Sequence, residues 1–163
     1  AAADTHGIPL KSPEELGALP QNSLDVITLW HVLEHIHNVD EVIALFHKLL
    51  DENGILAIAV PNINCLDRKI YGSYWAAYDV PRHIYHFNTT TISILMQRLG
   101  FTLVGKHALP FDAYYISLHS EWLKKTGSFL AVLRALKNGF LSNRAARKTG
   151  EYSSLVYVFK KAK

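Results

Sequence analysis

An α/β fold with a parallel sheet is what this sequence predicts, and three features carry the prediction. The runs 24–29 and 55–60 are short, apolar and rich in branched residues, which suits buried strands. One capped helix lies between them, so the three elements form a βαβ unit whose crossover makes its strands parallel. The chain is 163 residues long, 49% hydrophobic and 19% charged. That suits a single domain with a real core and excludes general disorder.

Each element has its own signal. The first strand follows the turn Pro20-Gln21-Asn22-Ser23. Asn38 with Glu41 three positions on marks a helix start. Val39, Val42, Ile43, Phe46, Leu49 and Leu50 then recur at helical spacing, and Gly54 is expected as the left-handed stop. Pro61 ends the second strand. Asn88 caps another helix whose apolar face is Ile92, Leu95, Met96 and Leu99, with Phe87 stapled on Ile92 and Gly100 as the stop. Strands are expected at 101–109 and at 154–160, the latter alternating Leu155, Tyr157 and Phe159 against Val156 and Val158. Residues 111–149 between them read as a basic, amphipathic helical insert.

Charge and composition narrow the setting. Residues 1–123 hold seven Lys/Arg against thirteen Asp/Glu, whereas 124–163 hold ten against one. So basic a quarter suggests an anionic partner or, equally, a solvated face. Cys65 is the only cysteine, which excludes an internal disulfide or a Cys-rich zinc site and points to a reducing, cytoplasmic home. No run approaches the roughly 18 apolar residues of a membrane span, and the start shows no basic-then-apolar leader.

In open α/β sheets, ligands bind beyond the carboxyl ends of the parallel strands. Here those ends are 30–35 and 61–64. His31, Glu34 and His35 form an H-x-x-E-H string, but a short turn after a strand does not set two imidazoles side by side as a zinc-binding helix does. No metal ligand is therefore assigned, and His35 is expected as a buried, hydrogen-bonded strut. A second cluster runs from Tyr78 to Phe87. Its Asp79, Arg82, His83, Tyr85 and His86 could supply a proton acceptor, an anion clamp and a flat wall. The alternative is a packed loop whose histidines bond to backbone carbonyls. Tyr74 and Trp75 just before it could wall a pocket or cover the sheet.

These segments resemble class I S-adenosylmethionine-dependent methyltransferases, in particular the bacterial branch similar to ubiquinone-biosynthesis O-methyltransferases. Residues 24–36 are similar to that family's fourth strand and following loop. Leu49-Leu50-Asp51-Glu52-Asn53-Gly54 stands at its turn before strand five, with Glu52-Asn53 replacing proline-glycine and Leu24 replacing the usual phenylalanine. Val60-Pro61-Asn62, Tyr74-Trp75 and 79–87 match its strand-five end and loop, and Leu99-Gly100-Phe101 its run into strand six. The resemblance implies a partial Rossmann-like methyltransferase sheet, strands four to seven, with the last strand antiparallel and the insert 111–149 before it. Residues 1–163 would form one partial domain.

The resemblance also implies S-adenosylmethionine as cofactor, with Thr28, Leu29 and Trp30 along its methionine side and Ser12 near the adenine. His31 is the first candidate base, with His83 and His86 next, and Tyr74, Trp75, Asp79, Arg82 and Tyr85 would hold a small or lipid-linked acceptor for O-methylation. Some relatives hold a divalent metal through Glu-x-x-Glu-His; His31 replaces the first glutamate here. The family's Gly-rich cofactor loop has no counterpart, because no two of the nine glycines lie within four positions. With 7–12 similar to strand three, the chain is expected to begin about two strands late, to bind the cofactor poorly alone, and to leave the edge at 24–29 open to homodimer formation. A non-catalytic interaction module with the same sheet is the alternative. The insert could meet a membrane surface or act as a lid or dimer contact, and no nucleic-acid partner is expected.

Overall fold

The computed structural model describes residues 12–125 and 129–162. The segment compared with a third strand therefore lies outside the described residues except for Ser12. Helix α1 (Pro13–Gly17) starts at Ser12, whose hydroxyl accepts from the Glu15 amide at 3.3 Å while the Glu15 carboxylate accepts from the Ser12 amide.

Four strands form one mixed sheet: β1 (Leu24–Trp30), β2 (Leu50–Pro61), β3 (Phe101–Ala108) and β4 (Ser154–Lys161), in the spatial order β1-β2-β4-β3. β1 and β2 run parallel, with Leu29 opposite Ile58 and Trp30 opposite Ala59. β4 is antiparallel to both β2 and β3. The sheet is thus a partial Rossmann-like arrangement with its last strand reversed, as expected. Helix α2 (Val39–Leu49) supplies the crossover connection that parallel neighbours need. Along the outer edge of β1, no strand pairs among the described residues.

Two local expectations are corrected. Gly54 is not a left-handed helix stop: α2 ends at Leu49, Leu50 is already extended, and Gly54 lies within β2. It is glycine for lack of room, since a Cβ there would sit 2.6 Å from Leu50 Cγ and 3.0 Å from the Asp51 carbonyl oxygen. Asn38 does precede α2, but its side chain donates to the Glu41 carboxylate at 3.2 Å instead of capping a backbone amide. The helix after Asn88 follows the prediction more closely. After α3 (Leu66–Tyr71), α4 spans Thr89–Arg98, Asn88 accepts from the Thr91 amide at 2.8 Å, and Gly100 turns the chain with φ +82°.

The main core lies where α2 and α4 cover the sheet, with Leu33, Ile43, Leu56, Ile58, Met96, Tyr157 and Phe159 fully enclosed. Each such side chain contributes about 1.5–3 kcal/mol relative to exposure. The predicted insert forms helices α5 (Asp112–Leu123) and α6 (Phe129–Thr149). α6 packs on α5, with Gly139 against Tyr114, and its small residues Ala131, Ala135, Gly139, Ser142 and Ala146 are all buried. Its large apolar residues point away: Phe129 is 76% exposed and Phe140 54%, with Leu130, Leu133 and Leu136 also open. Buried Asp67 ties α6 to the rest. Its carboxylate accepts from Ser142 and Ser153 at 2.7 Å each and from the Trp75 indole at 2.8 Å.

Candidate active site

A cleft of about 620 Å³ opens at the carboxyl ends of β1 and β2. Its floor is His31 and Pro61. One wall is the loop carrying Ala76, Ala77, Asp79, Arg82 and His83, and the other is α5 with Asp112, Tyr115, Ile116, His119, Trp122 and Leu123. Pockets of this size, apolar with a few convergent polar groups, suit small organic ligands.

His31 is placed by strand pairing. Its amide donates to the Ala59 carbonyl at 3.0 Å, extending the β1–β2 ladder, and its φ of +53° then turns the chain out of the sheet. Such a conformation is uncommon for a non-glycine residue, and the neighbouring ladder holds it there. Both ring nitrogens face carboxylates: Nε2 lies 3.0 Å from Asp112 and Nδ1 3.4 Å from Glu34. The Asp112 bond, reinforced by Glu34, outweighs burial and raises the His31 pKa to about 9. Burial alone would push Asp112 up, but the His31 bond reverses this and leaves it lowered. At neutral pH His31 is therefore a charged bridge between two acids, with no ring nitrogen left for a ligand.

Glu34 lies on a 3-10 turn, Leu33–His35, and is only 1% exposed. Its carbonyl accepts from the amides of Ile84 and Tyr85, which fastens the loop wall to the end of β1. The loop histidines bond to carbonyls, as the packing alternative expects: His35 to Arg82, His83 to Ala77 and His86 to Tyr78, at 2.8–3.0 Å. His35 is a strut, though an exposed one. His83 differs from the other two because it also lines the cleft. With Nδ1 donating to Ala77, its Nε2 is the acceptor nitrogen, 4.0 Å from Glu34 and 3.9 Å from Asp79. Arg82 is held by Asp79 through Nη2 at 2.6 Å. Ligand atoms of Glu34, His35 and His83 lie within 4.8 Å of one another, so these three are the residues that could hold a cation.

Of the residues singled out from sequence, the cleft gathers His31, Asp79, Arg82 and His83. Trp75 is buried against Asp67, Tyr74 lies near Lys124, and Tyr85 stacks on Phe87 and donates to the His37 carbonyl. His86 packs on Tyr78. Thr28 and Trp30 are exposed on β1, Leu29 turns into the core, and Ser12 caps α1. Sequence reasoning missed Asp112, which sits 81 residues from its partner His31. It also missed Tyr115, His119 and Trp122, whose i, i+4, i+7 spacing on one helix face was a usable signal.

A reversed last strand inside an otherwise parallel sheet, with a cleft at the parallel strand ends, is a partial Rossmann-like arrangement of the methyltransferase type. The family profile described as methyltransferase domain matches residues 4–106, and the chain belongs to that family. No curated protein matches the sequence at a significant level. Solved structures do. A S-adenosylmethionine-dependent methyltransferase of Archaeoglobus fulgidus is 19% identical with a TM-score of 0.55, over 93% of this chain and 66% of that one. A methyltransferase of Thermotoga maritima, described as a possible histamine N-methyltransferase, is 14% identical with a TM-score of 0.57, over 98% and 67%. The 1,6-didemethyltoxoflavin-N1-methyltransferase of Burkholderia thailandensis, solved with its substrate and S-adenosylhomocysteine, is 16% identical with a TM-score of 0.51, over 91% and 48%. Likeness at these identities concerns the fold. The chain spans about half to two thirds of the length of these structures.

Proposed function

We propose that the chain forms the acceptor-binding half of a S-adenosylmethionine-dependent methyltransferase that methylates an oxygen of a small or lipid-linked acceptor. The observation that carries this reading is the cleft, where an oriented imidazole faces two carboxylates opposite an aromatic helix wall. Family membership supports methyl transfer. The likeness of residues 74–87 to the ubiquinone-branch loop supports an oxygen acceptor.

The carboxyl end of β1 fits the methionine end of the donor, because Thr28 and 56%-exposed Trp30 stay open there and His31 turns away. When bound, S-adenosylmethionine supplies an electrophilic methyl group on a sulfonium centre. Few of these residues would hold its nucleoside half, since no two glycines lie close enough to form a loop for close backbone approach.

His83 Nε2 takes the proton of the acceptor hydroxyl, its tautomer set by the bond to Ala77. Glu34 and Asp79 face the imidazolium so formed, as carboxylates do in other oriented-base sites. His31 does not move a proton at neutral pH; it positions Glu34 and joins β1 to α5 through Asp112. Tyr115, Ile116 and Trp122 provide an apolar wall for a ring or an isoprenoid-like chain, which confers the orientation that in-line transfer needs.

The test is turnover of radiolabelled S-adenosylmethionine with phenolic acceptors by the full-length gene product. H83A should lose about 10²–10⁴-fold in kcat/KM, with part restored by added imidazole. Undiminished turnover in H83A would remove His83 from the mechanism. Calorimetry of S-adenosylhomocysteine with residues 1–163 should give a Kd weaker than about 100 μM. Low-micromolar binding would show that these residues hold the whole donor.

A further inference from the structure

The direction of α6 is the feature that the cleft does not explain. In a helix packed on a globular domain, large apolar residues ordinarily face inward. α6 does the reverse: its alanines, Gly139 and Ser142 are buried, and the exposed face presents Phe129, Leu130, Leu133, Leu136 and Phe140. A contiguous apolar stripe on a surface marks a place where something else sits. Arg134, Lys137, Arg144, Arg147 and Lys148 share the same helix, which carries no Asp or Glu. The stripe also runs into a hollow of about 320 Å³ lined by Phe111, Tyr114, Phe140, Asn143, Arg144 and Arg147. Phe111 in that lining is 84% exposed, and Arg144 and Arg147 add two guanidinium groups to it.

We infer that α6 lies in the interface of an anionic lipid bilayer, its aromatic and aliphatic stripe among the acyl chains and Arg144 and Arg147 on lipid phosphates. Charge decides between occupants. Arg134 is held by Glu121 of α5 at 3.1 Å, and a second copy seated on the stripe would still bring together Lys137, Arg144, Arg147 and Lys148 from each of two helices that carry no acid. An anionic surface complements that charge, and interfacial helices combine these same two features. No helix among the described residues is long and apolar enough to cross a membrane, so the contact is peripheral. α5, which carries the cleft wall, is the helix that α6 packs on, so docking would hold the cleft near the bilayer surface. The inference does not depend on methyl transfer, and its test uses no donor.

The experiment is cosedimentation of residues 1–163 with vesicles of phosphatidylcholine alone or with about 30% phosphatidylglycerol, at about 0.1 M salt. Binding should require the anionic lipid and weaken as salt rises. R144Q/R147Q removes two charges and should weaken binding roughly 25-fold. F129S/F140S should weaken it on the order of 100-fold. All four side chains are exposed, so circular dichroism should show both variants folded. Absence of binding, or equal binding to neutral and anionic vesicles, would overturn the inference. So would light scattering that shows a dimer which F129S/F140S dissolves, because the occupant would then be a second copy.

Discussion

Asp112→Asn offers the sharpest test of the His31 bridge. In the wild type, Asp112 and Glu34 raise the His31 pKa from 6.5 to about 9, and Asp112 is the larger cause. At pH 7.4 that leaves about one ring in forty neutral, whereas an imidazole titrating at its ordinary value would be about nine-tenths neutral. Asp112→Asn should drop the midpoint to between those two values, since Glu34 remains 3.4 Å away. The double change with Glu34→Gln should bring it to 6.5 or below, because burial, which lowers it, is then no longer opposed by the two carboxylates. Long-range ¹H–¹⁵N spectra of the imidazoles read this directly, and His31→Asn identifies the signal. The sign for stability follows. His31 has a raised pKa, so its contribution is complete below pH 6.5 and disappears as pH climbs through about 9. Asp112 has a lowered pKa, so its contribution is present above 3.8 and is lost in acid. Solvent reaches 39% of the His31 side chain, which screens the pair to on the order of 1 kcal/mol. A wild-type midpoint below 7, or one that Asp112→Asn leaves in place, would refute the bridge.

Two further substitutions probe how the helical pair is attached. Gly139→Val should cost about 1–3 kcal/mol in urea unfolding followed by circular dichroism, because a Cβ would lie 2.7 Å from Tyr114 Cδ1 and 3.0 Å from its Cα. Trp75→Phe removes one of three donors to the enclosed Asp67 carboxylate and should cost about 1–3 kcal/mol by the same measurement, with a larger loss of amide protection in α6 than in β2.

Elements with a local cause were legible in the sequence. β1 and β2 show as branched apolar runs, and the Asn88 cap with Gly100 shows because caps and left-handed stops need particular side chains. Gly54 misled because two physical reasons, positive φ and close approach, select the same residue; only the backbone path separates them. The orientation of α6 was hidden for a related reason. Periodicity locates an apolar stripe but not the side that faces the protein, and here the small residues won the interior. His31 was visible because it follows a predicted strand end, and His83 because it stands in a dense cluster of ionisable and aromatic residues. The engagement of both His31 nitrogens was not, since it depends on Asp112, 81 residues away at the start of α5. Trp75 drew attention as an aromatic near the loop, but its indole had a structural partner in Asp67.

The placement of β4 has a bearing on the order of assembly. β3 is translated before β4, yet it reaches β2 only through β4, which lies between them. A ribosome that has made residues up to 149 has produced three strands but no seam that joins the third to the other two. Ser153 and Ser154 to Lys161 must thread into that gap, and Ser153 also completes the hydrogen bonds of Asp67. The late arrival of so central a strand makes contacts of long sequence separation the slow step, as topology-limited folding requires. Nascent chains stalled short of residue 154 should therefore expose the flanks of β2 and β3 to chaperones.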